Sequence, residues 1–223
     1  NIIKIKEDLV AKVKAIVSQK SLGLRLQRIQ NLCLTKGNVI SASSKHEHLN
    51  KFIPQIGYRA IALGVSTGGP MSLQKVIPKL SKNLSIPMFI VQHMPPKFTK
   101  SLAERLNTLS EVEVKEAENN EVVRGGVVYI APGGFHTTVV RNENNQTIIS
   151  VSESPIDSIH RPSVDVMLSS VINVYNKYVL GVIMTGMGKD GVESIKELKT
   201  MGGYSIAQDE DSCVVYGMPK AIV

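Results

Sequence analysis

A glycine-rich turn that follows a short apolar run constrains this chain more than any other stretch. Residues 60–65, AIALGV, are apolar and stop at STGGP, which is typical of a buried strand that leads into a turn. Pro70 suits the first turn of a helix, where its missing N–H costs no hydrogen bond. A strand, a turn and a helix in succession predict an α/β fold.

Ser66 lies at this turn, within the G-x-S-x-G pattern of residues 64–68. Small flanking residues allow a sharp bend that presents a serine hydroxyl at the edge of a sheet. Backbone N–H groups at a helix start also favour negative charge nearby. The pattern is therefore typical of a nucleophile, although a serine that only caps the helix explains the same residues.

Two later segments repeat the strand-and-loop plan. Residues 87–92, PMFIVQ, end on His93, and residues 179–185, VLGVIMT, run into a glycine-rich loop that contains Asp190. Open α/β sheets keep their ligand-facing residues beyond the carboxyl ends of the strands, so we expect Ser66, His93 and Asp190 to meet there. For Asp190 the alternative is a plain N-cap of the helix that follows it.

These three residue types are those of an acyl-transfer triad. A serine hydroxyl is a poor nucleophile until an imidazole accepts its proton, and a carboxylate fixes the tautomer of that imidazole. The chain order Ser, His, Asp differs from the Ser, Asp, His order of α/β-hydrolases. It therefore counts against that fold and leaves the chemistry open.

Two other kinds of site were weighed for the same residues. A nucleotide- or phosphate-binding turn is the main competitor, but Ser66 occupies the second glycine position of the dinucleotide fingerprint and no Walker lysine follows. A metal site built from His93, His136, His160 and a carboxylate rests on separate single histidines, which are a weak signal. We expect neither a metal nor a cofactor.

The middle of the chain differs in character from the rest. Residues 127–131, 137–141 and 147–151 are short runs rich in β-branched residues, and residues 142–145 between the last two are turn formers. These runs predict antiparallel strands attached to the main sheet.

The net charge of +7 is concentrated at the N-terminus. Residues 1–60 contain 11 Lys or Arg and 3 Asp or Glu, whereas the remainder contains 15 and 16. The basic excess therefore does not belong to the part with Ser66, and we expect no nucleic-acid partner. No apolar run reaches the length of a membrane span and no signal peptide pattern is present, so we expect a cytoplasmic protein without membrane insertion.

The N-terminal segment reads as an appendage to the main domain. Residues 1–18 place apolar side chains at helical intervals, which predicts an amphipathic helix whose stripe needs a partner, and residues 21–57 show no clear periodicity. We expect this helix and linker to continue from sequence that precedes Asn1.

Several motifs, in order, resemble the catalytic domain of the bacterial chemotaxis protein-glutamate methylesterases, the CheB family. They are GVSTGGP, QHMPPKFT, APGGFH, HRPSVDVM, TGMGKDG and AQDEDSCVVYGMPKAIV, and together they cover residues 58–223. The resemblance implies a doubly wound α/β domain with a mainly parallel sheet flanked by helices. It also implies a catalytic domain over residues 57–223, preceded in residues 1–56 by the end of a receiver domain and an interdomain linker.

The resemblance also implies an activity and a set of site residues. The family hydrolyses glutamate methyl esters on the cytoplasmic helices of chemoreceptors, and many members also deamidate glutamines there. Its triad falls on Ser66, His93 and Asp190, and its oxyanion and support residues fall on Thr67 and Met187. Arg161 lies in a motif near the cleft, where substrate contact and a structural ion pair are both open. The implied partners are methylated receptors and the protein's own receiver domain.

Overall fold

A computed structural model describes residues 57–223. The predicted amphipathic helix and linker, residues 1–56, lie outside the described residues. Six strands form one sheet in the order β3-β4-β2-β1-β7-β8, and every neighbouring pair is parallel. Their bounds are β1 Ala60–Val65, β2 Met88–Gln92, β3 Glu113–Glu116, β4 Val127–Ile130, β7 Val179–Ile183 and β8 Tyr204–Ala207. The predicted doubly wound α/β fold is confirmed.

Five α-helices of the described part cover the two faces of this sheet. They are α1 Gly69–Val76, α2 Phe98–Leu109, α3 Val164–Tyr175, α4 Val192–Thr200 and α5 Met218–Ile222. Side chains of α1 and α2 pack with one set of strand residues, and those of α3, α4 and α5 pack with the alternate set. The alternation follows from the two-residue period of a strand, so both faces of the central strands are buried.

One prediction about the strands was wrong. Residues 127–131 were expected to be antiparallel, but β4 lies inside the main sheet and pairs in parallel with both β2 and β3. The two other runs form a separate antiparallel hairpin, β5 His136–Arg141 and β6 Thr147–Ser152, which is not bonded to the main sheet. The hairpin packs on α3, where the Ser170 hydroxyl accepts the Val139 N–H at 3.0 Å. A short run of β-branched residues indicates a buried strand, but it does not indicate whether that strand is parallel or antiparallel to its neighbours. The prediction for residues 127–131 was wrong for this reason.

The strand order fixes where a site can form. From β1 the chain moves outward to β2 on one side, and β7 later pairs with β1 on the other side. The point at which the direction of winding reverses therefore lies beside the carboxyl end of β1. Crevices that bind ligands occur at such points in open α/β sheets.

Within residues 57–223, no helix has the length and apolar character that crossing a membrane requires.

The end of β1 is in close contact with the start of α3. A Cβ built on Gly64 would lie 2.5 Å from a methyl carbon of Val164, the first residue of that helix. Contacts this short require a shift of the neighbouring atoms. Gly64 is therefore needed for the close approach of helix and strand.

We predict that Gly64→Ala lowers the free energy of unfolding by about 1–3 kcal/mol, because the added methyl pushes α3 off the strand. Chemical denaturation measures the loss. Adding Val164→Ala to this variant should recover part of it, because the clashing methyls are then absent. Strictly additive losses in the double variant would contradict the packing argument.

Candidate active site

The three predicted catalytic residues do meet at the carboxyl edge of the sheet. Ser66 directly follows β1 and His93 directly follows β2, and the parallel register pairs Val65 with Gln92, so the two residues lie side by side. The Ser66 N–H donates to the Thr185 carbonyl at 3.0 Å, beyond the end of β7. Adjacent strands thus bring Ser66 and His93 together, and the loop after β7 supplies Asp190.

The turn at Ser66 is built by Gly68. This glycine has φ +82° and is the N-cap of α1, which begins at Gly69 and has Pro70 in its first turn. No side chain caps α1, and no hydrogen-bond partner of the Ser66 hydroxyl is found among residues 57–223. Ser66 therefore does not cap the helix, which was the alternative. Within residues 57–223 its hydroxyl makes no hydrogen bond.

His93 is held in one orientation by Asp190. The Nε2–H of His93 donates to Oδ2 of Asp190 at 2.8 Å, and the two side chains are only 11% and 8% exposed. Because an ionised carboxylate can only accept, the ring proton lies on Nε2 and the lone pair on Nδ1. Nδ1 is buried and has no partner within the described residues. A buried, unpaired imidazole nitrogen on a residue that follows the strand next to that of Ser66 is what a general base requires.

Asp190 is bound by more than His93. Its Oδ1 accepts the Ser163 hydroxyl at 2.9 Å and the Asp165 N–H at 3.0 Å, and its Oδ2 also accepts the Val164 N–H at 2.7 Å. Burial raises the pKa of this carboxyl, but the bonds from His93, the two backbone N–H groups and Ser163 outweigh it and lower the pKa to about 2. The carboxylate is therefore ionised at neutral pH.

Asp190 does cap a helix, as the alternative from the sequence held, but it caps a different helix from the one expected. The N-cap of the following helix, α4, is Gly191, with no side-chain cap. Asp190 instead binds the free N–H groups at the start of α3, which stands after a different strand. One carboxylate thus stabilises a helix terminus and orients the His93 imidazole.

His160, which was considered from the sequence only as a metal ligand, contacts His93 in the structure. Its ring stacks on the ring of His93, with centroids 4.3 Å apart and planes 19° from parallel. Burial, and next the charge of His93, lower the pKa of His160 below its ordinary value, so an uncharged ring covers this face of the imidazole. His160 lies in an irregular loop before α3, where no periodicity or strand end signals a role.

The third histidine of the metal hypothesis is used elsewhere. His136 is fully buried, its Nδ1 accepts the Ser163 N–H at 3.3 Å, and its Nε2–H donates to the Pro155 carbonyl at 3.1 Å. Over the described range 57–223, no group of three or more His, Cys, Asp or Glu side chains is arranged to hold a metal ion. His136 therefore supports the loop beneath Asp190.

The two predicted support residues lie on loops next to the nucleophile. Thr67 follows Ser66, and its carbonyl accepts the Thr185 hydroxyl at 2.9 Å. Met187 is 71% exposed on the loop after β7. A Cβ on Gly186 would lie 2.8 Å from the Ser66 Cβ, so the backbone before Met187 passes directly beside the nucleophile.

Arg161 contacts its own loop. Its guanidinium donates to the Ile156 carbonyl at 3.3 Å and lies 3.7 Å from the Glu153 carboxylate. These contacts favour a structural role in the loop that carries His160. A contact of Arg161 with substrate stays a prediction.

The chain was compared with known proteins. The sequence model of the family described as CheB methylesterase matches residues 61–223. A protein-glutamate methylesterase/protein-glutamine glutaminase of Archaeoglobus fulgidus is 46% identical over 98% of this chain and 59% of its own length. The protein of the same name from Bacillus subtilis is 44% identical over 100% of this chain and 61% of its own. The chain thus spans about 60% of the length of these relatives.

A solved structure agrees with both fold and sequence. The Thermotoga maritima CheB methylesterase catalytic domain superposes with a TM-score of 0.71 at 46% identity, over 74% of this chain and 87% of that one. The family match, the relatives and the solved structure all agree: this chain belongs to the CheB methylesterase family.

Proposed function

We propose that this chain carries the catalytic part of a protein-glutamate methylesterase that hydrolyses glutamate methyl esters to glutamate and methanol. The observation that carries the proposal is the state of His93: one ring nitrogen is bound to Asp190 and the other is buried and unpaired, on a residue that follows β2 as Ser66 follows the adjacent β1. A phosphate-binding turn does not require a histidine that is bound to a carboxylate, whereas acyl transfer by a serine does.

In the first step the Ser66 Oγ attacks the ester carbonyl carbon. The hydroxyl proton moves to Nδ1 of His93, and the imidazolium that results is stabilised by the Asp190 carboxylate. The ester C–O bond then breaks, and the methoxy oxygen takes the proton back from His93 and leaves as methanol. The product of this step is a glutamyl ester on Ser66.

Water completes the reaction. Nδ1 of His93 accepts a proton from the water as the water oxygen attacks the acyl carbon. The bond between the acyl carbon and Oγ then breaks and this proton passes to Oγ, while the carboxyl group that is released loses its remaining proton to solvent and becomes glutamate. With a glutamine side chain the same steps release ammonia, so deamidation is part of the proposal. No cofactor enters either half of the reaction.

The negative charge on the tetrahedral oxygen needs donors. The N–H of Thr67 follows the nucleophile, and the backbone at Met187 runs beside Ser66, so we assign both as oxyanion donors. One such donor is worth about 3–4 kcal/mol of the barrier. Both act through the backbone, which agrees with the exposure of the two side chains.

The wider assignment follows the family. The proposed substrates are methylated cytoplasmic helices of chemoreceptors, in a cytoplasmic protein that adjusts chemotaxis, and the proposed regulatory partner is a receiver domain that ends within residues 1–56. The test is incubation of the chain with receptor membranes that carry radiolabelled methyl esters, followed by measurement of released methanol. Absence of release above the uncatalysed rate would overturn the proposed activity.

We predict that Ser66→Ala lowers kcat for methanol release by about 10⁶-fold, because the attacking oxygen is lost while the fold is kept. Ser72→Ala is the matched control, since Ser72 is a buried serine of α1 away from the site. Release at a near-normal rate in Ser66→Ala would exclude the nucleophile role.

Asp190→Asn should lower kcat by about 10⁴-fold, because an amide NH₂ facing Nε2 favours the wrong tautomer of His93. The matched control is Asp209→Asn, because Asp209 also follows a strand and caps a short helix but does not contact His93. If both variants keep wild-type rates of methanol release, Asp190 serves the fold alone.

The lowered pKa of Asp190 predicts an acid dependence of stability. The pKa falls from 3.8 in the unfolded chain to about 2 in the fold, so the ionised group adds about 2 kcal/mol above pH 4. This contribution is lost as the pH falls from about 4 to about 2. Urea unfolding should therefore show that wild type and Asp190→Asn converge in stability over this range, while Ser66→Ala follows wild type throughout. Parallel curves for wild type and Asp190→Asn would refute the assignment.

A further inference from the structure

Gln92, the last residue of β2, is a buried polar side chain that the mechanism above does not use. It is 1% exposed, and its amide nitrogen donates to two backbone carbonyls, that of Ser66 at 3.0 Å and that of His93 at 3.1 Å. These carbonyls belong to the nucleophile and to the base. One planar amide therefore joins the two strand ends that have to stay in register for proton transfer.

The space around this amide is tightly fitted. A Cβ on Gly69 would lie 1.9 Å from the Gln92 Oε1, so the first residue of α1 must lack a side chain to admit the amide. The Gly69 N–H also donates to the Ser66 carbonyl, at 2.8 Å. The Ser66 carbonyl, the His93 carbonyl and the start of α1 thus converge on one side chain.

Stability alone does not account for a glutamine here. Its Oε1 is buried and has no partner within residues 57–223, and a buried acceptor without a partner is costly. Without the amide, the Ser66 carbonyl would still have the Gly69 N–H. An apolar side chain of similar size would therefore remove the unpaired Oε1 and leave only the His93 carbonyl without this donor.

We propose that Gln92 is a positioning residue for the proposed acyl transfer, which fixes the Ser66 hydroxyl relative to Nδ1 of His93. The inference rests on the proposed function only in taking Ser66 as the nucleophile and His93 as its base. Displacements of the order of 1 Å in such pairs lower rates by about 10²-fold. Loss of the amide is thus expected to act on the chemical step and to leave substrate binding unchanged.

The test compares Gln92→Met, which keeps the length of the side chain and removes its donors, with Ile90→Met. Ile90 lies two residues earlier on the same buried face of β2 and touches no catalytic group. We expect Gln92→Met to lower kcat for methanol release by about 10- to 100-fold, to change KM by less than about 2-fold and to keep the urea midpoint near that of Ile90→Met. Ile90→Met should keep the wild-type kcat.

A second readout does not depend on the receptor substrate. Phenylmethanesulfonyl fluoride labels an activated serine: the Ser66 Oγ bonds to sulfur, the S–F bond breaks, fluoride leaves and the proton passes to His93. The labelling rate of the full 223-residue chain should fall in Gln92→Met by the same factor as kcat, and Ser66→Ala should not be labelled at all.

The outcomes separate the two claims. No labelling of wild type at Ser66 would overturn the nucleophile itself, and with it the proposed function. Labelling of wild type and Gln92→Met at equal rates would overturn only the role of Gln92, as would an equal loss of kcat in Ile90→Met. If Gln92→Met does not fold, Gln92→Asn replaces it, since its shorter amide cannot reach both carbonyls. A wild-type rate in that variant would then overturn the inference.

Discussion

The carboxylate of Asp190 is the interaction on which most of this structure depends. It accepts four hydrogen bonds, from the His93 imidazole, the Ser163 hydroxyl and the first two N–H groups of α3. A buried charge is stable only when its acceptor sites are filled, and here they are filled by groups from two separate loops. The carboxylate therefore joins the β2 end, the β7 end and α3 into one unit.

Close packing of α3 on β1 also holds Asp190 and its partners in place. Gly64 lets Val164 lie against β1, and Val164 also supplies one of the N–H groups that Asp190 accepts. The position of the catalytic carboxylate is thus set by the contact of a helix with the central strand. A shift of α3 against β1 would therefore be transmitted to His93 through two hydrogen bonds, the one that Val164 donates to Asp190 and the one that His93 donates to Asp190.

The sequence predicts that Ser66, His93 and Asp190 come together, and the structure places all three at one edge of the sheet. Parallel strands end at one edge, so three polar residues that directly follow apolar runs have to come together there. The contacts that depend on side-chain direction were not predictable in this way. The helix that Asp190 caps, the stacking of His160 on His93 and the bond from Gln92 to the Ser66 carbonyl all join elements that are distant in sequence. The direction of β4 was also misjudged, because its four buried residues fit a strand of either direction.

Asp190 binds both His93 and the start of α3, and this affects how related sequences are interpreted. A chain that had lost Ser66 would no longer hydrolyse esters, yet the free N–H groups at the start of α3 would still need an acceptor. Selection for folding alone would then keep the aspartate long after catalysis had gone. Among relatives of this protein, an aspartate at this position therefore indicates an intact fold and does not by itself indicate activity, because the proposed mechanism also requires the serine and the histidine.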